Sequence, residues 1–183
     1  MGKCPVCNRK AKRNCLLEDI TSICSACCGS IRKENTCSKC SYYQPPRRNY
    51  KQITAYSPNE MEASLYLQNI SEVIESAICD YDYEASWSLK DPTAIRIIEL
   101  LLDQYHFQDT QPKEENETIL LGFKQVAKQM QKNLKKIPNE EIIKTLGAIY
   151  FVAVRRTRGN REYLNIIKQY VGLNTEIGRM RVI

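Results

Sequence analysis

The sequence predicts a mainly α protein in two parts: a small cysteine-stapled module at the N-terminus, followed by an all-α helical bundle. Two observations carry this. Eight of the nine cysteines fall within residues 4–40. From Ser57 onward, apolar residues recur at helical spacing, between Ser-Pro, Asp-Pro and Gly signals that open and close helices.

The cysteines read Cys4-Pro5-Val6-Cys7, then Cys15, then Cys24-Ser25-Ala26-Cys27-Cys28, then Cys37-Ser38-Lys39-Cys40. Three C-x-x-C pairs and two single cysteines make eight ligands, enough for two tetrahedral four-sulfur sites. A two-residue spacer lets two thiolates reach one ion from a tight turn, and Zn²⁺ favours that donor set. The expected cofactor is therefore Zn²⁺, two ions. Disulfides would need an oxidising compartment, and the residues after Met1 form no apolar signal region. The C-x2-C-x2-C spacing of ferredoxins is absent. Few large aliphatic residues precede Ser57, so this part needs a staple to fold. A small two-zinc finger, treble-clef-like or cross-brace, is expected over residues 1–43. We favour Cys4, Cys7, Cys24 and Cys27 on one ion and Cys15, Cys28, Cys37 and Cys40 on the other. The alternative exchanges Cys24 and Cys28. Gly29 is read as a turn-ending glycine with an unusual backbone angle.

Residues 44–56 read as a linker. Pro45-Pro46 forbids helix there, and Tyr42, Tyr43, Tyr50 and Tyr56 alternate with Arg47, Arg48 and Lys51.

The bundle is expected over residues 57–172. Ser57-Pro58-Asn59-Glu60 has the pattern of a capping box, opening a helix that runs to about Cys79. Asp91-Pro92 opens a second, with Ile95, Ile98, Leu101, Leu102 and Tyr105 on its apolar face. A third covers about 117–136, and Pro138 breaks it. A fourth covers about 139–156, and a fifth starts near Asn160 and stops at Gly172. A tail, 173–183, has no periodicity. Asp80, Asp82 and Glu84 read as a solvated acidic loop. Trp87 reads as packing over the bundle, His106 as a helix-end residue and Cys79 as a buried, inert thiol.

The C-P-x-C pair, the lone cysteine, the Ile23-Cys24-Ser25-Ala26-Cys27-Cys28-Gly29-Ser30-Ile31-Arg32 segment and the closing Cys37/Cys40 pair resemble the N-terminus of a scattered bacterial family of uncharacterised proteins. The run from Arg155-Arg156 through Arg161-Glu162-Tyr163-Leu164 to Tyr170-Val171 is similar to that family's last helix. Two-residue spacing of the closing cysteines departs from the family's looser pattern. The resemblance implies a Cys-rich zinc finger ahead of a helical part, and it brings no established activity.

The net charge of +6 conceals +8 over residues 1–56, −11 over 57–117 and +9 over 118–183. Each four-thiolate zinc site carries about −2, which moderates the first figure. Basic residues cluster at Arg9, Lys10, Lys12, Arg13, Arg32, Lys33, Arg47, Arg48 and Lys51, and again at Arg155, Arg156, Arg158 and Arg161. Arginine suits bidentate phosphate contact, and Tyr50 is the ring expected to stack on a base. The leading expectation is a non-enzymatic, zinc-binding protein that contacts nucleic acid through the basic finger and linker. The alternative is a protein–protein interaction adaptor whose finger is purely structural. No catalytic residues are expected: four sulfurs close a zinc site, and no phosphate loop, H-E-x-x-H or G-x-S-x-G motif occurs. No small-molecule substrate is evident. With no stretch near the roughly 20 apolar residues of a membrane span, no membrane partner and a cytoplasmic location are expected.

Overall fold

The computed structural model describes residues 2–15, 17, 20, 22–37, 39–43, 48–175 and 178–180; of residues 34, 173–175 and 178–180 it describes the backbone alone. Helices dominate. The chain divides into two compact units, Met1–Arg48 and Asn49–Ile183. Within the expected linker, residues 44–47 lie outside the described residues.

The first unit begins with a tight turn at Cys4-Pro5-Val6-Cys7. A two-stranded antiparallel ribbon follows, β1 (Arg13–Asn14) against β2 (Ser22–Ile23), with Arg13 opposite Ile23. Two short helices complete it, α1 (Ser25–Ile31) and α2 (Glu34–Cys37). Its buried core is small: Cys4, Ala11, Ile23 and Cys24, with Cys15, Ile20, Cys27, Cys28 and Ile31 packed around. Gly29 lies inside α1 and has no positive φ, so the turn-ending role expected of it is not what it does.

In the second unit, Tyr50 of a 3₁₀ turn (Tyr50–Gln52) and Ile53 after it belong to the bundle's core. The Tyr50 ring lies 5.6 Å from that of Tyr150. The strand-like stretch after it runs close over a later helix: Tyr56 N–H donates to the Lys144 carbonyl at 3.3 Å. A Cβ on Gly147 would sit 3.0 Å from the Ala55 Cβ, so a larger residue there would push this stretch outward by a few tenths of an ångström.

The capping box at Ser57 forms as expected. Ser57 Oγ accepts from Glu60 N–H, and the Glu60 carboxylate accepts from Ser57 N–H at 2.7 Å. The helix it opens is short, α3 (Pro58–Ala63). Ser64 breaks it with extended backbone and caps a new helix, its Oγ accepting from Leu67 N–H. That helix, α4 (Leu65–Glu84), carries Asp80, Asp82 and Glu84 in its last turns. The expected acidic loop is therefore helix, and Asp82 is buried. The chain leaves α4 through Ser86 and Trp87, both at positive φ (56° and 59°). Trp87 is half-buried under Lys168, whose Nζ sits 3.6 Å from the ring centre.

Next come α5 (Asp91–Tyr105), α6 (Glu117–Asn133), α7 (Asn139–Arg156) and α8 (Glu162–Val171). Asn116 caps α6, and Gly172 at φ 73° ends α8. Helix α4 packs on α6, α7 and α8, and α5 packs on the same three. The core gathers Ile70, Ile74, Ile78, Ile97, Leu101, Met130, Leu146 and Tyr163 among others. A hairpin, β3 (Leu173–Thr175) and β4 (Gly178–Met180), replaces the expected aperiodic tail, with β3 beside α4. No helix among the described residues is long and apolar enough to cross a membrane.

Polar contacts from three buried acids fix α8. Asp91 Oδ2 and Oδ1 accept from the Tyr163 and Leu164 N–H groups at 3.0 and 3.1 Å, which caps α8 from another helix. Arg161 donates to both Asp82 oxygens, at 3.0 and 2.7 Å. The Glu75 carboxylate accepts from Tyr163 Oη at 3.0 Å, Tyr170 Oη at 2.7 Å and Ser71 Oγ at 3.1 Å.

Candidate metal centre

The turn at Cys4 is closed by two backbone hydrogen bonds. Asn8 N–H donates to the Cys4 carbonyl at 2.8 Å, and Cys4 N–H donates to the Arg9 carbonyl at 2.7 Å. Asn8 adopts φ 58°, a conformation Asn tolerates better than most residues. Lys3 and Lys10 then pair as an antiparallel bridge. This geometry presents both sulfurs of the C-x-x-C pair on one side.

The ribbon carries the chain from this turn to α1. Lys12 N–H donates to the Ile23 carbonyl at 3.1 Å, which sets Cys24 beside the turn. Cys24 is the N-cap of α1, and its Sγ accepts from Cys27 N–H at 3.4 Å. A three-residue step in the first turn brings Cys27 to the same side as Cys24. The result is one cluster: the sulfurs of Cys4, Cys7, Cys24 and Cys27 all lie within 4.8 Å of one another. Cys7 and Cys24 are 3.5 Å apart. Four sulfurs at about 2.3 Å from a tetrahedral ion would stand about 3.8 Å apart, so the quartet fits a metal ion.

Its electrostatics agree. Backbone N–H groups, that of Cys24 foremost, hold the Cys4 thiol down to about 6. Cys24 is lowered by the Cys27 N–H. Cys27 is pushed up to about 12, because its sulfhydryl is shared with Cys7 and Cys24 and would ionise beside them. Sulfurs this close hold one another's protons, and a divalent ion is what would let all four ionise together.

The other four module cysteines, Cys15, Cys28, Cys37 and Cys40, line a single cavity of about 20 Å³ with Asn14, Ile23, Arg32, Tyr42 and Tyr43. Cys40 N–H donates to the Cys37 carbonyl at 2.8 Å, folding this pair into a turn. Among the described residues, only the first quartet has sulfurs within 4.8 Å of one another. Arg13 Nη1 donates to Cys28 Sγ at 3.6 Å, and its guanidinium lies 5.0 Å from the centre of the Tyr42 ring.

The expected nucleic-acid residues divide. Arg9, Lys10, Lys12, Arg32 and Lys33 are exposed on the first unit, and Arg13 is half-buried. Arg47 lies outside the described residues. In the second unit, Lys51 is exposed on the 3₁₀ turn, and Arg155, Arg156 and Arg158 are exposed at the end of α7. Tyr50 corrects its expectation. It is buried, and its hydroxyl donates to Asp103 Oδ1 at 3.0 Å, so it offers no face to a base. A tyrosine among arginines resembles a stacking platform; the signal against it was Ile53, three residues on, which makes a buried face of the same turn. Arg48 is half-buried. His106 is exposed at the end of α5 against the Phe107 ring, and Cys79 is buried, which pushes its thiol up.

No protein-family model, curated protein or solved structure matches this chain.

Proposed function

We propose that the first unit is a two-zinc, treble-clef-like finger that binds the phosphate backbone of nucleic acid without catalysing a reaction. The observation that carries this reading is the closed sulfur quartet of Cys4, Cys7, Cys24 and Cys27, framed by exposed Arg9, Lys10, Lys12 and Lys33. The order of turn, ribbon and helix, with ligands from the turn and the helix's first turn, supports the finger type. The shared cavity of Cys15, Cys28, Cys37 and Cys40 supports a second ion, interleaved with the first. Zinc is favoured by the all-thiolate donor set, and a site closed by four sulfurs stabilises a fold, leaving no position for substrate.

The test has two readouts. Purified protein is expected to hold about two zinc ions per chain, by the four-ligand count; iron, or fewer than two zinc ions, defeats the metal reading. Binding to mixed-sequence duplex DNA and single-stranded RNA is then measured against salt. The slope of log affinity on log salt is expected to flatten by about 0.9 per lost contact on duplex, or about 0.7 on single strands, for Lys12→Ala and Lys33→Ala. The second reading, a protein-interaction adaptor, draws on exposed Phe151 and Val152 beside Arg155 and Arg156 on α7. It is the one supported if no nucleic-acid binding occurs at low salt, where attraction is least screened.

A further inference from the structure

We infer that Arg13 and Arg32 serve the second metal site as its charge-neutralising positioning residues, and that neither is a phosphate contact. This inference rests on the two-zinc reading. Four thiolates and one divalent ion leave a charge of about −2, and two guanidinium groups would cancel it. The first unit supplies two such groups where they are needed. Arg13 directs Nη1 to Cys28 Sγ at 3.6 Å, within reach of a long N–H···S hydrogen bond. Arg32 lines the same cavity as Cys15, Cys28, Cys37 and Cys40.

Arg13 is held in place, and Arg32 lies at the surface beside the same cavity. Arg13 leaves β1 two residues before Cys15, and its guanidinium lies over the Tyr42 ring, 5.0 Å from the centre. A ring face orients a planar cation and shields one side of it from water. Arg32 follows the last residue of α1 and folds back along the helix. A Cβ on Gly29 would lie 3.4 Å from Arg32 Nη2. The Arg32 guanidinium therefore lies at ordinary contact distance from the residue beside Cys28.

The first quartet differs. There the Cys27 N–H donates to Cys24 Sγ at 3.4 Å, and no arginine donates to the quartet among the described residues. The arginine donor thus distinguishes the second site from the first. Metal-ligand orientation and affinity depend on such outer partners, whose loss typically lowers affinity about 10–100-fold.

The test is chelator competition on the full chain, giving separate affinities for the first and second zinc. Arg13→Gln and Arg32→Gln are each expected to weaken one ion's binding about tenfold or more and leave the other unchanged. Arg13→Lys, which keeps the charge but not the planar fork, is expected to recover part of that loss. In the cobalt-substituted protein, the sulfur-to-metal charge-transfer band of one site is expected to move in Arg13→Gln, a signature that a packing defect elsewhere would not give. If Arg13→Gln fails to fold, Arg32→Gln and Arg13→Lys carry the comparison. Unchanged affinities in the glutamine variants, with a wild type that holds two zinc ions, overturn the inference alone. So does a salt slope flattened by about 0.9 in the glutamine variants, which would make these arginines phosphate contacts. A wild type with fewer than two zinc ions defeats the two-zinc reading instead.

Discussion

Glu75 shows how a single side chain can set the pH response of the bundle. Burial pushes its carboxyl above the ordinary value of 4.5, and the hydroxyls of Tyr170, Tyr163 and Ser71 pull back only in part. A carboxyl raised in the folded state favours folding fully below the unfolded value. That contribution is lost as pH rises through the folded value, because the native state must then ionise a buried group. Glu75→Gln removes the ionisation and keeps the volume. Urea midpoints of the variant and wild type are expected to converge near pH 4 and to separate toward pH 8, with the variant the more stable there. A separation that grew toward acid instead would contradict this sign. The same residue marks what the sequence conceals. An acidic side chain reads as solvent-facing, and the tyrosines that bury Glu75 lie 88 and 95 residues away. Asp82 escaped for the same reason, through a partner 79 residues distant. The favoured first quartet, Cys4, Cys7, Cys24 and Cys27, is the one whose sulfurs meet, and its signal is local: two-residue spacing and adjacent Cys27 and Cys28.

Among the helices, α7 was the most legible, since Pro138 and the run from Ile142 to Ala153 mark both its start and its face. The α3–α4 break at Ser64 was not, because Met61 and Leu65 continue the apolar spacing across it while the cap depends on one hydroxyl. Helix α8 is the element whose stability hangs on a partner. It has no side-chain cap of its own, and Asp91 supplies one from the start of α5. Asp91→Ala leaves two buried N–H groups without acceptors, at a cost of about 1–3 kcal/mol. Chemical denaturation should register that loss, and hydrogen exchange should place it at the Tyr163 and Leu164 amides. A loss spread evenly over the bundle would mean that α8 does not fray as a unit. At Gly122, α6 comes so close that a Cβ would lie 2.5 Å from Ile97 Cδ1 and Tyr81 Cε1, so the register of α6 is fixed at that point too.

At the scale of the molecule, the two units differ in what keeps them folded. Two of the four buried residues in the first unit's core are themselves cysteines of the metal quartet. So little apolar surface cannot sustain a fold alone. The second unit has its own core of more than two dozen buried side chains, from Tyr50 to Val171. Excess chelator is therefore expected to unfold α1 and α2 and to leave α4 to α8 intact. Circular dichroism should show a small loss of helix, followed by one unchanged thermal transition. Collapse of the whole helical signal on chelation would join the two units into a single cooperative one. The acidic and basic blocks of the sequence find part of their meaning here, since Arg161 and Asp82 join one to the other.

The non-local attachment of α8 also has a bearing on the order in which the chain is made. Asp82 precedes Arg161 by 79 residues, and Asp91 precedes Tyr163 by 72. At about 5–20 residues per second, a ribosome adds 79 residues in about 4–16 s. For that interval the three carboxylates that α8 will cover face water, and the growing chain carries an acid-lined, unsealed side. Closure of that side waits for this one segment, so the side is sealed only after α8 has been made.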